Sequence, residues 1–197
     1  MTAAPANGRF ADVITTEAEL RAIVARPNRW ILHKDKPRLD EDCIRFIARS
    51  PFMVLASTGR SGHLDLSPKG DPAGFVQVLD DKTLALPDRP GNRRIDTFRN
   101  ILENPNVGLI FFVPGEGETL RVGGKAIIVR DRILRESMAL NRRVPELATV
   151  ITVERAYFHC GKCVVRSKLW DRRDLSGEPA ARTHGWLQMF PERQTSP

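Results

Sequence analysis

Cysteines, aromatic side chains and long apolar runs are all scarce in this chain, and each scarcity excludes a class. Three cysteines occur in 197 residues, Cys43, Cys160 and Cys163. So small and odd a number excludes a disulfide framework. No apolar run approaches the roughly 20 residues a membrane-spanning helix needs. Residues 1–20 also lack the basic start and apolar block of a secretory signal. The expected compartment is the cytoplasm, with no membrane partner. Aromatic residues make up 7% and the basic residues are dispersed, so the net charge of +7 does not describe a stacked, basic nucleic-acid face. A phosphorylated small molecule accounts for it better. Neither a Gly-rich dinucleotide fingerprint nor a Walker loop is present, which disfavours a doubly wound sheet.

The one C-x-x-C, Cys160-Gly161-Lys162-Cys163, has no second pair to complete a structural zinc site of about four ligands. His159 precedes the first cysteine, whereas haem attachment places histidine after the second. Plain buried thiols are the expectation.

What is present is a change of period. Thr15 or Thr16 can cap a helix with Glu17 and Glu19 in its first turn, running to about Ala25 before Pro27. Asp40 can cap a second helix through Ile44, Ile47 and Ala48, ended by Pro51. From Phe52 the pattern alternates. Strands are expected over 52–57, 63–67, 74–79, 83–86, 107–113 and 119–129, with a short late strand at 150–153. A helix over 92–103 buries Ile95, Phe98 and Leu102, another starts at Asp131 and runs to about Leu140, and 157–165 reads as helical. Short strands in hairpins with one crossing helix argue for a small, mainly β, antiparallel barrel with accessory helices. The expected division is a helical extension over 1–50, the barrel over 51–175 and a polar tail over 176–197, in which Trp186, Leu187 and Phe190 could dock.

Two polar patches lie between the strands, Asp65-Leu66-Ser67-Pro68-Lys69-Gly70-Asp71-Pro72 and Pro87-Asp88-Arg89-Pro90-Gly91-Asn92-Arg93-Arg94. A strand delivering two arginines to a helix start makes an anion site, because free amides, the helix dipole and guanidinium groups converge there.

With Lys69-Gly70, Gly74-Phe75, Asn92-Arg93-Arg94, the stretch Asn104 to Phe112, and Arg121-Val122-Gly123-Gly124-Lys125-Ala126, the sequence resembles the pyridoxamine 5′-phosphate oxidase-like flavoproteins. It is most similar to an uncharacterised branch marked by SPKGDPAGF, LPDRPGNRR and HC-x-K…RS-x-LW, and the likeness covers roughly residues 15–172. The resemblance implies an FMN-binding split β-barrel that dimerises with itself and holds flavin at the subunit interface. It implies Arg93 and Arg94 on the FMN phosphate, Ser67 and Lys69 beside the flavin, and backbone groups of Pro87 and Asp88 on the ring edge. Thr119 and Arg121, on alternate positions of one strand, reach toward the ring, and Arg166 and Trp170 come from the partner subunit. The expected activity is FMN-dependent oxidation or reduction of a small molecule, with NAD(P)H as a candidate donor and no side chain named as catalytic. The family's substrate-binding tyrosine and its C-terminal Arg-x-His segment have no counterpart here, Tyr157 being the single tyrosine, so vitamin B6 oxidation is not expected. Two alternatives stay open: a non-catalytic carrier or sensor of flavin, haem or deazaflavin on the same fold, and, more distantly, a basic nucleic-acid-binding barrel.

Overall fold

The alternating stretches between residues 52 and 159 assemble into one antiparallel sheet of seven strands. The computed structural model describes residues 10–28 and 34–170. In chain order the elements are α1 (Glu17–Ile23), α2 (Glu41–Arg49), β1 (Phe52–Thr58), β2 (Leu64–Gly70), β3 (Gln77–Asp80), β4 (Thr83–Pro87), α3 (Asp96–Glu103), β5 (Asn106–Phe112), β6 (Thr119–Val129), α4 (Arg132–Ser137), β7 (Ala148–His159) and α5 (Lys162–Ser167). The strands lie in the order β2-β1-β5-β6-β7-β4-β3. The edges β2 and β3 do not pair with each other, so the sheet is left open as a split barrel. No helix among the described residues is long and apolar enough to cross a membrane.

Side-chain alternation sets the two faces. Met53, Leu55, Leu109, Phe111, Leu120 and Val122 point into the core, and their neighbours Phe52, Val54, Ile110 and Phe112 point out. Helix α2 closes one end of the core with Cys43, Phe46 and Ile47, and the Phe46 ring meets Phe158 edge-on at 5.4 Å. Its start follows the expected chemistry. The Asp40 carboxylate accepts from the Cys43 amide at 3.0 Å and pairs with Lys36. Helix α1 carries a full capping box between Thr16 and Glu19 but buries no residue.

Helix α3 packs on β1, β2 and β6. Three side-chain bonds fix it there. Asn100 donates to the buried Ser57 hydroxyl at 3.1 Å, Thr97 donates to the Asp65 carboxylate at 2.9 Å, and Glu103 accepts from the Arg60 amide at 2.9 Å.

Several local expectations are overturned. The late strand is not confined to 150–153 but runs Ala148–His159, and Tyr157 is not helical: it pairs with Arg121, as His159 pairs with Thr119. The eleven residues of β6 offer a partner along their whole length, and that pairing overrides the local pattern. The two strands stay in register only through a bulge at Gly123/Gly124, where a Cβ on Gly124 would lie 2.1 Å from the Thr152 carbonyl oxygen. Helix α3 starts at Asp96 rather than residue 92, because Arg93 and Ile95 hold left-handed backbone (φ 60° and 54°). Helix α4 stops at Ser137, ahead of a tight turn at Asn141-Arg142. Cys43 is the buried thiol expected, but Cys160 and Cys163 are exposed. The expected tail, with Trp186, Leu187 and Phe190, lies outside the described residues.

Candidate functional site

Where edge strand β2 faces the end of β4, the sheet leaves a cleft of about 600 Å³. One wall is β2, whose Asp65, Ser67 and Lys69 alternate onto a single half-buried face. The opposite wall is Leu86-Pro87-Asp88 at the end of β4, and the loop 89–95 with the first turn of α3 closes the end. The six residues Ser67, Lys69, Pro87, Asp88, Arg93 and Arg94 all line this cleft.

The loop is built to hold its shape. Arg89 Nε donates to the Asp71 carboxylate at 2.5 Å, and the Asp71 side chain in this pair is only 10% exposed. That bond ties the arginine loop to the segment after β2. The Asn92 side chain accepts from the Arg94 amide at 3.0 Å, a local turn that presents the next residues. Left-handed backbone follows at Arg93 and again at Ile95. For a β-branched residue such a conformation is a true outlier, and it costs on the order of 1–2 kcal/mol. Ile95 is also the N-cap of α3 and offers no side-chain acceptor. The first turn of α3 therefore borders the cleft without the cap that helix starts ordinarily carry. Arg94 leans on Asp96 through Nε at 2.7 Å while its side chain remains largely exposed.

The β4 wall has its own chemistry. The Asp88 amide donates to the Leu147 carbonyl at 3.0 Å, and Pro87 has no amide proton. What these two residues can turn toward a ligand is carbonyl oxygen and the Asp88 carboxyl. Burial pushes that carboxyl above the ordinary carboxylate range, and the charge of Lys69 pulls partway against it.

The four other expected contact residues lie elsewhere. Thr119 and Arg121 sit on β6, three strands from β2, and neither lines the cleft. Arg121 belongs to the outer face, in one row with its register partners Ile110, Val54 and Pro68. Beside it the His159 imidazole is held below its ordinary value by partial burial, then by the charges of Arg121 and Lys34. Arg166 is exposed on α5, and the Trp170 indole N–H donates to the Glu116 carbonyl at 2.7 Å. The structure thus gathers six of the ten residues in one cleft; of the other four, Thr119 is buried in β6 and Arg121, Arg166 and Trp170 stand on other surfaces of the same chain. Three residues given no ligand role from the sequence belong with the cleft: Asp65 lines it, Ile95 lines it at 56% exposure although the helix pattern expects it buried, and Asp71 holds its loop through Arg89. Alternation with Ser67 and Lys69 was enough to find Asp65, and nothing local announced the other two.

The family model described as pyridoxamine 5′-phosphate oxidase matches residues 39–160. Among curated proteins none matches the sequence. The chain is similar in fold to a histidine-to-alanine variant of HupZ from Group A Streptococcus, at 20% identity and a TM-score of 0.50, over 61% of this chain and 98% of that one. A protein related to general stress protein 26, of the pyridoxinephosphate oxidase family, from Clostridium acetobutylicum gives 16% identity, a TM-score of 0.46, and 62% and 91% coverage. An F420 reductase gives 19% identity, a TM-score of 0.45, and 61% and 98% coverage. The family match takes in β1 to β7 and both walls of the cleft, well over half of the 197 residues, and on that match the chain belongs to the pyridoxamine 5′-phosphate oxidase family.

Proposed function

We propose that the chain is an FMN-dependent oxidoreductase that holds its flavin at the interface of a homodimer. The observation that carries this is the start of α3: an uncapped helix N-terminus, flanked by two arginines, on a backbone kept in an unfavourable conformation by its surroundings. Strain of this kind concentrates at ligand clamps, and amides plus guanidinium groups are the donor set a phosphate monoester requires. The cleft volume lies within the range of small-molecule sites. Arg93, Arg94 and the first-turn amides would hold the phosphate. Ser67, Lys69 and the Pro87-Asp88 edge would lie along the ring system. FMN, when bound, supplies hydride or single-electron transfer, and the protein supplies position and electrostatics. Lys69 places a positive charge on one wall, and Asp88 offers a carboxyl whose proton is held more tightly than in water.

Two features support a second copy as the partner. Arg166 and Trp170, the two residues expected from a partner subunit, are exposed and stand away from the cleft of their own chain, which leaves them free to face a second copy. The outer face of β1, β2 and β5 also carries exposed apolar side chains at both ends: Leu64 and Leu66 are 77% and 67% exposed at one, and the Phe52 and Phe112 rings lie 6.0 Å apart at the other. Arg121 continues a row of that same face, so a partner seated on it would meet this arginine. Exposed apolar surface of this extent marks an interface.

The test is flavin retention. The Arg93→Ala/Arg94→Ala double variant should lose FMN, seen as the disappearance of the two visible flavin bands from purified protein. Full flavin occupancy in that variant would sink the phosphate assignment. Titration of the wild type with NADPH under anaerobic conditions, followed by flavin bleaching, distinguishes a reductase from a carrier.

A further inference from the structure

Behind the β4 wall lies a second groove of about 810 Å³, lined by Asp88, Arg89 and Pro90 on one side and by the segment from Leu140 to Glu146 on the other. It shares Asp88, Arg89 and Pro90 with the flavin cleft, so the half-buried Asp88 belongs to both spaces. Its far side is a tight turn. Leu140 and Arg143 exchange backbone hydrogen bonds of 3.1 and 2.9 Å across Asn141 and Arg142, both with positive φ (51° and 62°). Turns of this type ordinarily take glycine at the second central position, yet arginine stands there. The turn is braced from beneath by Arg135, which donates to the Pro145 carbonyl at 2.9 Å.

Among the described residues, the groove combines an apolar surface and the Glu146 carboxylate with one lining cation that has no carboxylate partner. Leu140, Val144, Pro90 and Pro145 supply the apolar area, and Asn141 an amide. Arg142 does not line the groove, and the other nearby guanidinium groups are paired. Arg89 is paired with Asp71, Arg132 with Glu136, and Arg130 and Arg135 both lie within 4.0 Å of Glu146. Arg143 has no carboxylate partner among the described residues. A planar guanidinium beside an amide matches the two oxygens of a carboxylate, and the apolar lining suits a flat hydrocarbon body.

We propose that this groove is the port for the flavin's reaction partner, a small organic carboxylate with an apolar body, held by Arg143 and Asn141 next to the Asp88 wall. The proposal rests on the flavin reading for its role and on the groove alone for its binding chemistry.

Benzoate is the probe, with benzamide as its uncharged counterpart, and binding is followed by ligand-observed NMR on the full chain so that no turnover is needed. Benzoate should bind saturably and benzamide at least about tenfold more weakly. Arg143→Gln should weaken benzoate by about tenfold or more, the scale of a lost charge-assisted hydrogen bond, while its FMN content stays at the wild-type level. The Arg93→Ala/Arg94→Ala variant should bind benzoate as the wild type does. Benzoate affinity unchanged in Arg143→Gln, or lost with Arg93 and Arg94 instead, or absent from the wild type, would overturn the proposal. A chain that binds benzoate through Arg143 but never takes up FMN would uphold the carboxylate site and overturn the flavin reading.

Discussion

Ile95→Asp separates what the helix start does for the fold from what it does for a ligand. In the flavin-free protein three effects meet at this position. Aspartate tolerates left-handed backbone far better than a β-branched side chain, which returns part of the roughly 1–2 kcal/mol that isoleucine costs there. Its carboxylate also sits favourably against the helix dipole, worth about 0.3–1 kcal/mol. Against these stands the lost burial of a side chain that is already 56% exposed, about 1 kcal/mol at most if full burial is worth roughly 1.5–3 kcal/mol. Stability should therefore stay within about 1 kcal/mol of the wild type, or rise. Binding should move the other way, since the new carboxylate stands at the amides proposed for the phosphate. Two unit charges about 5 Å apart at an effective dielectric constant near 20 repel by roughly 3 kcal/mol, and solvent at an exposed residue reduces this to about 1–2 kcal/mol. That corresponds to roughly five- to thirtyfold weaker FMN binding. Urea denaturation of the flavin-free protein reads the first quantity and quenching of FMN fluorescence reads the second. Unchanged FMN affinity in a variant of normal stability would refute the placement of the phosphate. A loss of several kcal/mol in stability would refute the strain argument.

Two further expectations concern other parts of the fold. Cys43 is fully buried and its thiol is pushed up to about 11, chiefly by that burial, so iodoacetamide at neutral pH should modify Cys160 and Cys163 in the native protein and reach Cys43 only after denaturation; mass spectrometry counts the adducts, and rapid native labelling of all three would contradict the core packing of α2. The Lys36 ammonium and the Cys43 amide hold the Asp40 carboxyl well below its ordinary value, so its contribution is complete above the unfolded carboxylate range and fades as pH falls below about 4. Asp40→Ala should cost about 1 kcal/mol near neutral pH, a gap that narrows in acid-denaturation curves below that point; a gap that widened there would reverse the sign of the linkage.

The parts of this molecule legible in the sequence are those governed by neighbours in the chain. The cap at Asp40, the alternation from Phe52 onward and the full extent of β6 follow from side-chain chemistry and period. The length of β7 was not legible, because its second half is strand only by virtue of pairing with β6. The exposure of Cys160 and Cys163 was hidden for the same reason, since they lie just beyond that strand. In the cleft, the arginines and the β2 residues were recognisable as types that meet a phosphate. The conformation that aims them was not: left-handed isoleucine is contrary to its own preference, and Asp71 bonds to a residue 18 positions away. Nor does a linear pattern tell that Arg121 and Lys69 occupy surfaces one chain cannot bring together.

Glu116, in the turn between β5 and β6, joins three distant parts of the chain. Its carboxylate meets Arg49 at the end of α2 at 2.5 Å, and its carbonyl receives the Trp170 indole. One residue on, Gly117 lies so near Gly161 that a Cβ on the latter would stand 1.8 Å from the Gly117 carbonyl oxygen. The end of α2, the β5–β6 turn and the segment leaving β7 are therefore clamped like parts of a single bracket. A displacement of the indole would act first on the β5–β6 turn, through its bond to the Glu116 carbonyl, and only weakly on α2, whose link to the turn is the exposed Arg49 pair.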